Sequence, residues 1–282
     1  LIDLKEDGTF MLDQKYFNYS TGLTMTNNKF DSLFGARPRH PETDKITQFH
    51  MDIAASIQKV TEEIMLRLAK SLRNEYGLKN LCLAGGVALN CVANGKILEK
   101  KIFDNIWVQP AAGDAGGSLG ACLAYWHIDL DNKREDFDKD NMQGSYLGNE
   151  FSNDEVKNIL DEIGAIYEYL GDNELLEKTV NDIIKGNAIG WFQGRMEFGP
   201  RALGNRSIVG DPRSEIIQKN LNLKVKFRES FRPFAPSVLR EDVNEWFEMD
   251  IDSPYMLFVA KIKKDKSIEM TNEEKKLFGI DL

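Results

Sequence analysis

Three arginines share one short stretch with glycine and proline. Between Gln193 and Ser207 lie Arg195, Arg201 and Arg206, interspersed with Gly194, Gly199, Pro200 and Gly204 and followed closely by Asn205 and Ser207. A second stretch, Lys226 to Pro236, carries Lys226, Arg228 and Arg232 and closes on Pro233 and Pro236. Rigid turns and aromatic neighbours fix such cations in place instead of leaving them free in solvent. Arginine offers a planar fork to carboxylate or phosphate oxygens, and lysine offers a point charge. Together they suit a triphosphate or an acyl phosphate, and the charge that develops in phosphoryl or nucleotidyl transfer. The alternative is an Arg/Glu lattice in which Glu197 and Glu229 pair with their neighbours.

Two glycine turns stand upstream. Ala84-Gly85-Gly86-Val87 follows a short apolar run, and Gly113-Asp114-Ala115-Gly116-Gly117-Ser118 follows another. Glycines where a strand meets a helix allow close backbone approach to a ligand, and the helix start offers unpaired N–H groups to phosphate. A tight turn with no ligand explains Gly85-Gly86 equally well. Asp114 suits a metal ion or a nucleotide-bound water, or it caps the helix that follows. Two such turns on one sheet point to a single cleft above the strand ends.

The elements that must position these residues are legible in the spacing. Ile46, Phe49, Ile53, Ile57, Val60, Ile64, Leu68 and Leu72 recur at steps of three and four, which predicts an amphipathic helix capped by Asp44 and ended by Gly77. Leu81 to Ala84 predicts a strand, Val87 to about Lys101 a helix, Ile106 to Val108 a strand, and the second glycine turn opens a helix to about Trp126. Ile2-Asp3-Leu4 followed by Asp7-Gly8 reads as a strand entering a turn. Helices follow at Asn153 to Ile163 and Asn173 to Lys185, then a strand at Ala188 to Phe192. The polar tract Asp129 to Asn141 is an exposed connector, and the domain boundary is placed there. The fold class is α/β in both halves.

Composition narrows the function. The chain has 282 residues and a net charge of −9. The stretch Arg195 to Arg240 nevertheless holds ten basic residues against four acidic ones, so it carries +6 while the remainder carries −15. A local basic cluster in an acidic protein fits a small polyanion and argues against a nucleic-acid platform. No apolar run reaches the roughly 20 residues of a membrane span, and no signal peptide is evident, so a cytoplasmic protein is expected. Cys82, Cys91 and Cys122 form no CxxC pair and are expected to be reduced and buried. The first methionine is Met11, and the chain reads as part of something longer.

The blocks Leu83 to Cys91, Gln109 to Gly116, Gly194 to Arg206 and Lys226 to Pro236, in this order, resemble the NodU/CmcH carbamoyltransferases. The match spans nearly the whole chain, and GRMEFGPRALGNRSI with KxRExFRPFAP is its specific part. The resemblance implies the second lobe of an ASKHA domain, of actin and sugar-kinase architecture, over residues 1–140. It implies an incomplete YrdC-like domain over residues 141–282. In such enzymes carbamoyl phosphate and ATP give carbamoyl adenylate, and the carbamoyl group passes to a small-molecule hydroxyl with help from a divalent metal, thought to be iron, Mg2+ accompanying the ATP.

Carried over by motif, Arg201, Lys226 and Arg232 act on the donor, and Arg195, Asn205 and Arg228 join them in holding substrate. Gly85, Gly86, Asn90 and Gly116 line a nucleotide site, and Asp114 is one metal ligand. The family's HxxxH ligands have no counterpart among His40, His50 and His127. They are expected before Leu1, so the isolated chain is expected to be inactive. The other readings are a tRNA threonylcarbamoylation-related enzyme and a noncatalytic nucleotide-binding module of the same fold.

Overall fold

The computed structural model describes residues 1–135 and 140–276. It is a mixed α/β structure whose strands form three two-stranded sheets among the described residues. The chain divides into two units: one comprises residues 1–81, 92–107 and 268–282, the other residues 82–91 and 108–267.

In the first unit, β1 (Ile2–Leu4) and β2 (Phe10–Leu12) pair antiparallel with Ile2 opposite Leu12. Gly8 makes their turn at φ +90°, and a Cβ there would lie 2.5 Å from the Leu68 nitrogen, so only glycine fits. Arg67 secures the same hairpin by donating to the Lys5 carbonyl at 2.9 Å. α1 (Asn28–Phe34) is capped by the Asn27 side chain and ends on Gly35.

α2 (Gln48–Tyr76) is the predicted long helix, with Gly77 ending it in the left-handed region. It begins four residues after the expected cap, Asp44. Thr47 and His50 form the capping box instead, and Asp44 is already engaged by Arg37 at 2.7 and 3.1 Å and by the His40 N–H at 2.8 Å. On the inner face Glu62 is buried and bonds Lys96 at 2.6 Å; that bond, opposed by burial, holds its carboxyl below the ordinary value.

β3 (Asn80–Leu83) and β4 (Asn105–Val108) pair, and bonds from Asn105 N to Lys79 O and Gln109 N to Leu83 O keep the same offset, so the strands run parallel. The crossover differs from the predicted single helix. A 3-10 turn over Gly86–Leu89 comes first, and α3 (Cys91–Glu99) starts only after Asn90, whose backbone at ψ 85° leaves the helical path between the two.

In the second unit, α4 (Ala115–Ala124) runs into a π turn over Tyr125–Asp129. Residues 131–135, within the predicted connector, have no regular element and are mostly exposed; positions 136–139 lie outside the described residues. α5 (Asn153–Glu162) has a capping box of Ser152 and Glu155, and α6 (Asp172–Ile184) follows. β5 (Ile189–Phe192) and β6 (Arg206–Val209) pair antiparallel with Phe192 opposite Arg206. The arginine-bearing loop reverses the chain between them, so no helix crosses over as a βαβ unit would require. α7 (Ile217–Asn220) continues as a π turn over Leu221–Val225. Ala88, Val108, Ala111, Ala112, Met142, Ile217, Leu221, Tyr255 and Leu257 form the buried apolar set of this unit.

The cysteines are free thiols, but they are not buried as expected. Cys82 and Cys122 are exposed and Cys91 is intermediate. On the short β3 burial falls on Leu81, so the next side chain, Cys82, points the other way.

Candidate functional site

The two glycine turns are in contact through their backbones. The Gly85 N–H donates to the Ala112 carbonyl at 2.9 Å, which fixes the first turn against the second. Gly85 has φ +96°, a conformation reserved for glycine, and neither it nor Gly86 has any atom within 4 Å of where a Cβ would stand. A ligand's phosphate could therefore approach this backbone closely. Gly116 has a different cause: a Cβ there would lie 2.0 Å from the Ala111 oxygen, so the turn itself demands glycine. Asn90 ends the 3-10 turn, its N–H bonded to the Val87 carbonyl.

Asp114 has helical backbone angles and makes no side-chain cap bond, so capping does not account for it. It is exposed at the start of α4. No group of three or more His, Cys, Asp or Glu side chains is placed to hold a metal ion among the described residues. Among the described residues Asp114 therefore offers at most one ligand to a divalent metal.

The arginine-bearing loop packs onto both turns. Arg201 Nη2 donates to the Leu89 carbonyl at 3.1 Å, and its Nε is buried without a partner. Gly199, at φ +137°, lies against Pro110, where a Cβ would come within 3.1 Å of the carbonyl oxygen. Arg201 thus sits beside the first glycine turn, although the two are far apart in sequence.

Glu197 organises this loop, in place of the ion pairing the lattice alternative assigns it. Its carboxylate is buried, and Oε1 accepts from the N–H groups of Leu203 and Asn205 at 2.8 Å and of Arg206 at 3.2 Å. Burial raises its pKa, but these N–H groups outweigh burial and leave it below the ordinary value. Asn205 is consumed in the same framework: Nδ2 donates to the Arg195 carbonyl at 2.7 Å, and Oδ1 accepts from Gln193 at 3.2 Å. Arg206 donates to the carbonyls of Gln193, Gly194 and Asn205 and lies 3.5 Å from the Phe192 ring centre. Arg195 is exposed and pairs with Glu150 at 3.4 Å.

The second cationic segment has its own organiser, Asn222, which is fully buried. Its Oδ1 accepts from Arg228 Nε at 2.6 Å, and its Nδ2 donates to the carbonyls of Ser230 at 3.0 Å and Arg232 at 2.8 Å. Arg228 also lies over the Phe234 ring at 5.0 Å. Arg232 pairs with Glu229 at 2.7 Å, as the lattice alternative has it, and both keep substantial exposure. Lys226 is exposed, and its ammonium bonds no other described residue.

Glu197 and Asn222 are therefore the residues that reading the cations alone misses. A buried acid among arginines and an asparagine between leucines were the available signals.

The glycine turns and the arginine loop are thus brought together through Ala112, Leu89 and Pro110, whereas the lysine-led segment is organised separately by Asn222. Residues 1–123 match the family description "Carbamoyltransferase N-terminus", and residues 180–274 match "Carbamoyltransferase C-terminus". The chain belongs to the NodU/CmcH-type carbamoyltransferase family.

It is 57% identical over its whole length to the protein sll1178 of Synechocystis, covering 46% of that protein. It is 41% identical to the nodulation protein NolO of Bradyrhizobium diazoefficiens, over 78% of this chain and 40% of NolO. It is 30% identical to the 3'-hydroxymethylcephem-O-carbamoyltransferase of Streptomyces clavuligerus, over 77% of this chain and 39% of that enzyme. The chain spans less than half the length of these relatives.

Proposed function

We propose that the whole protein is an ATP-dependent O-carbamoyltransferase: water cleaves carbamoyl phosphate to carbamate and phosphate, the carbamate oxygen attacks the α-phosphate of ATP to give carbamoyl adenylate and pyrophosphate, and a small-molecule hydroxyl then takes the carbamoyl group with release of AMP and a proton. Residues 1–140 belong in this reading to an ASKHA-like lobe and residues 141–282 to a YrdC-like domain. The reading rests on family membership and on the name of the Streptomyces relative, a carbamoyltransferase acting on a hydroxymethyl group. The observation that carries it to particular residues is the bond from Arg201 to the Leu89 carbonyl, which sets a cation at the end of the 3-10 turn that opens with Gly86.

Lys226, Arg228 and Arg232 neutralise the donor and ATP phosphates, with Mg2+ accompanying the nucleotide. Their backbone is held before substrate arrives, so little ordering cost falls on the reaction. Asp114 is assigned in this reading to the acyl-transfer step, as one ligand of the divalent metal that would assist it.

The test is carbamoyl phosphate-dependent exchange of labelled pyrophosphate into ATP by the whole natural protein. Exchange by the wild type is expected. Lys226→Ala should reduce it about tenfold to a hundredfold, the effect of one charge-assisted contact, with an unchanged melting temperature. A folded wild type that binds ATP and shows no exchange would instead be a noncatalytic nucleotide-binding module.

A further inference from the structure

Phe227 occupies a position that neither backbone preference nor burial explains. The π turn Leu221–Val225 ends at Lys226, and the next residue takes the left-handed conformation that closes a helix, a position where glycine is strongly favoured. Here it is phenylalanine at φ +50°, and its side chain is not tucked away: Phe227 is 84% exposed. A bulky residue in this region is an outlier, and burial contributes almost nothing to offset the strain.

The surroundings hold the geometry in place. The Lys226 N–H bonds the Leu221 carbonyl and the Arg228 N–H bonds the Asn222 carbonyl at 3.0 Å, so the reversal on either side of Phe227 is pinned. Arg228 turns back to Asn222 and Phe234, whereas Lys226 remains exposed with no bond from its ammonium to another described residue. The result is an exposed aromatic face next to an uncommitted cation on a rigid base.

We propose that Phe227 is the platform on which the purine ring of the nucleotide stacks while Lys226 meets its phosphates. A stacked base would cover the ring's apolar surface and offset the strained backbone, and a planar heteroaromatic attached to a polyanion matches the pairing of aromatic and cation. The inference rests on the reading of the Lys226–Arg232 segment as a nucleotide and acyl-phosphate site. It adds a base-contacting residue that the cations do not supply.

The experiment is calorimetric titration of the whole natural protein with Mg-ATP and, separately, with inorganic tripolyphosphate, together with thermal melting. Phe227→Gly should melt at a higher temperature than wild type, because glycine fits the left-handed position. It should bind ATP about tenfold more weakly and tripolyphosphate equally well. Phe227→Trp should retain ATP affinity. Unchanged ATP affinity in Phe227→Gly, with wild type binding both ligands, overturns the platform and leaves the cationic site standing. Equal losses for ATP and tripolyphosphate with a lowered melting temperature make Phe227 structural and also overturn it. Failure of wild type to bind either ligand overturns the reading of the segment and the platform together.

Discussion

The Arg201 guanidinium donates to the backbone carbonyl of Leu89 at 3.1 Å, joining positions 112 residues apart. Removing the side chain forfeits one hydrogen bond from a charged donor, of about 1.5–3 kcal/mol, but also removes a buried, unpaired Nε whose desolvation costs about 1–3 kcal/mol. The two nearly cancel, so Arg201→Ala should melt within a few degrees of wild type. Pyrophosphate exchange should fall at least tenfold, and Arg201→Lys should not restore it, because an ammonium cannot reproduce the fork. Loss of stability in step with activity would make Arg201 a structural tie.

Glu197 holds its loop as an anion. Its folded pKa lies below the ordinary 4.5, so the stabilisation is fully present above that value and is lost as pH falls through the depressed one. Glu197→Gln should destabilise the protein by about 1–2 kcal/mol at pH 7, the charge-assisted part of three N–H bonds. Melting curves of the two proteins should converge as the pH is lowered below 4.5. A constant gap across that range would show that the carboxylate's charge is not what holds Leu203, Asn205 and Arg206.

Much of this arrangement is written in local spacing. The three- and four-residue steps of α2, the Gly77 stop and the helix that begins at Asn153 are short-range features and appear where the spacing puts them. That the two glycine turns follow strands of one sheet is legible because a strand–turn–helix unit repeats. What spacing cannot reveal is which partner a polar group takes. Glu197 stands among arginines, yet it bonds backbone amides that the loop itself brings round. Asn222 sits in an unremarkable leucine-rich turn, and its role depends on Ser230 and Arg232 folding back onto it. Asp44 looks like a cap until Arg37 and His40 claim it.

Asp114 is exposed and does not cap α4, so its removal should leave folding intact. In the whole natural protein, Asp114→Ala should keep carbamoyl phosphate-dependent pyrophosphate exchange and lose carbamoylation of a hydroxyl acceptor, measured as labelled carbamoyl incorporated into product. Loss of both activities would place Asp114 in adenylate formation. Retention of both would leave it a surface residue.

Asn222 has no exposed surface and spends its carboxamide on Arg228, Ser230 and Arg232. Asn222→Asp keeps the oxygen that accepts from Arg228 but replaces the donor with a second oxygen facing two carbonyls, and it buries a charge. Asn222→Ala leaves two carbonyls and one guanidinium N–H unpaired. Each unpaired buried group costs about 1–3 kcal/mol, so both variants should lose about 3 kcal/mol or more of stability, the aspartate most.

The functional consequence separates a positioning role from a merely structural one. At a temperature where Asn222→Ala remains folded, the Lys226–Arg232 segment loses its anchor while every cation is still present. The KM for carbamoyl phosphate should rise and kcat should fall, because cations that must be ordered during the reaction stabilise its transition state less than cations already in place. Wild-type kinetics in the folded fraction of Asn222→Ala would show that the segment finds its geometry without Asn222, and the preorganisation argument would fail.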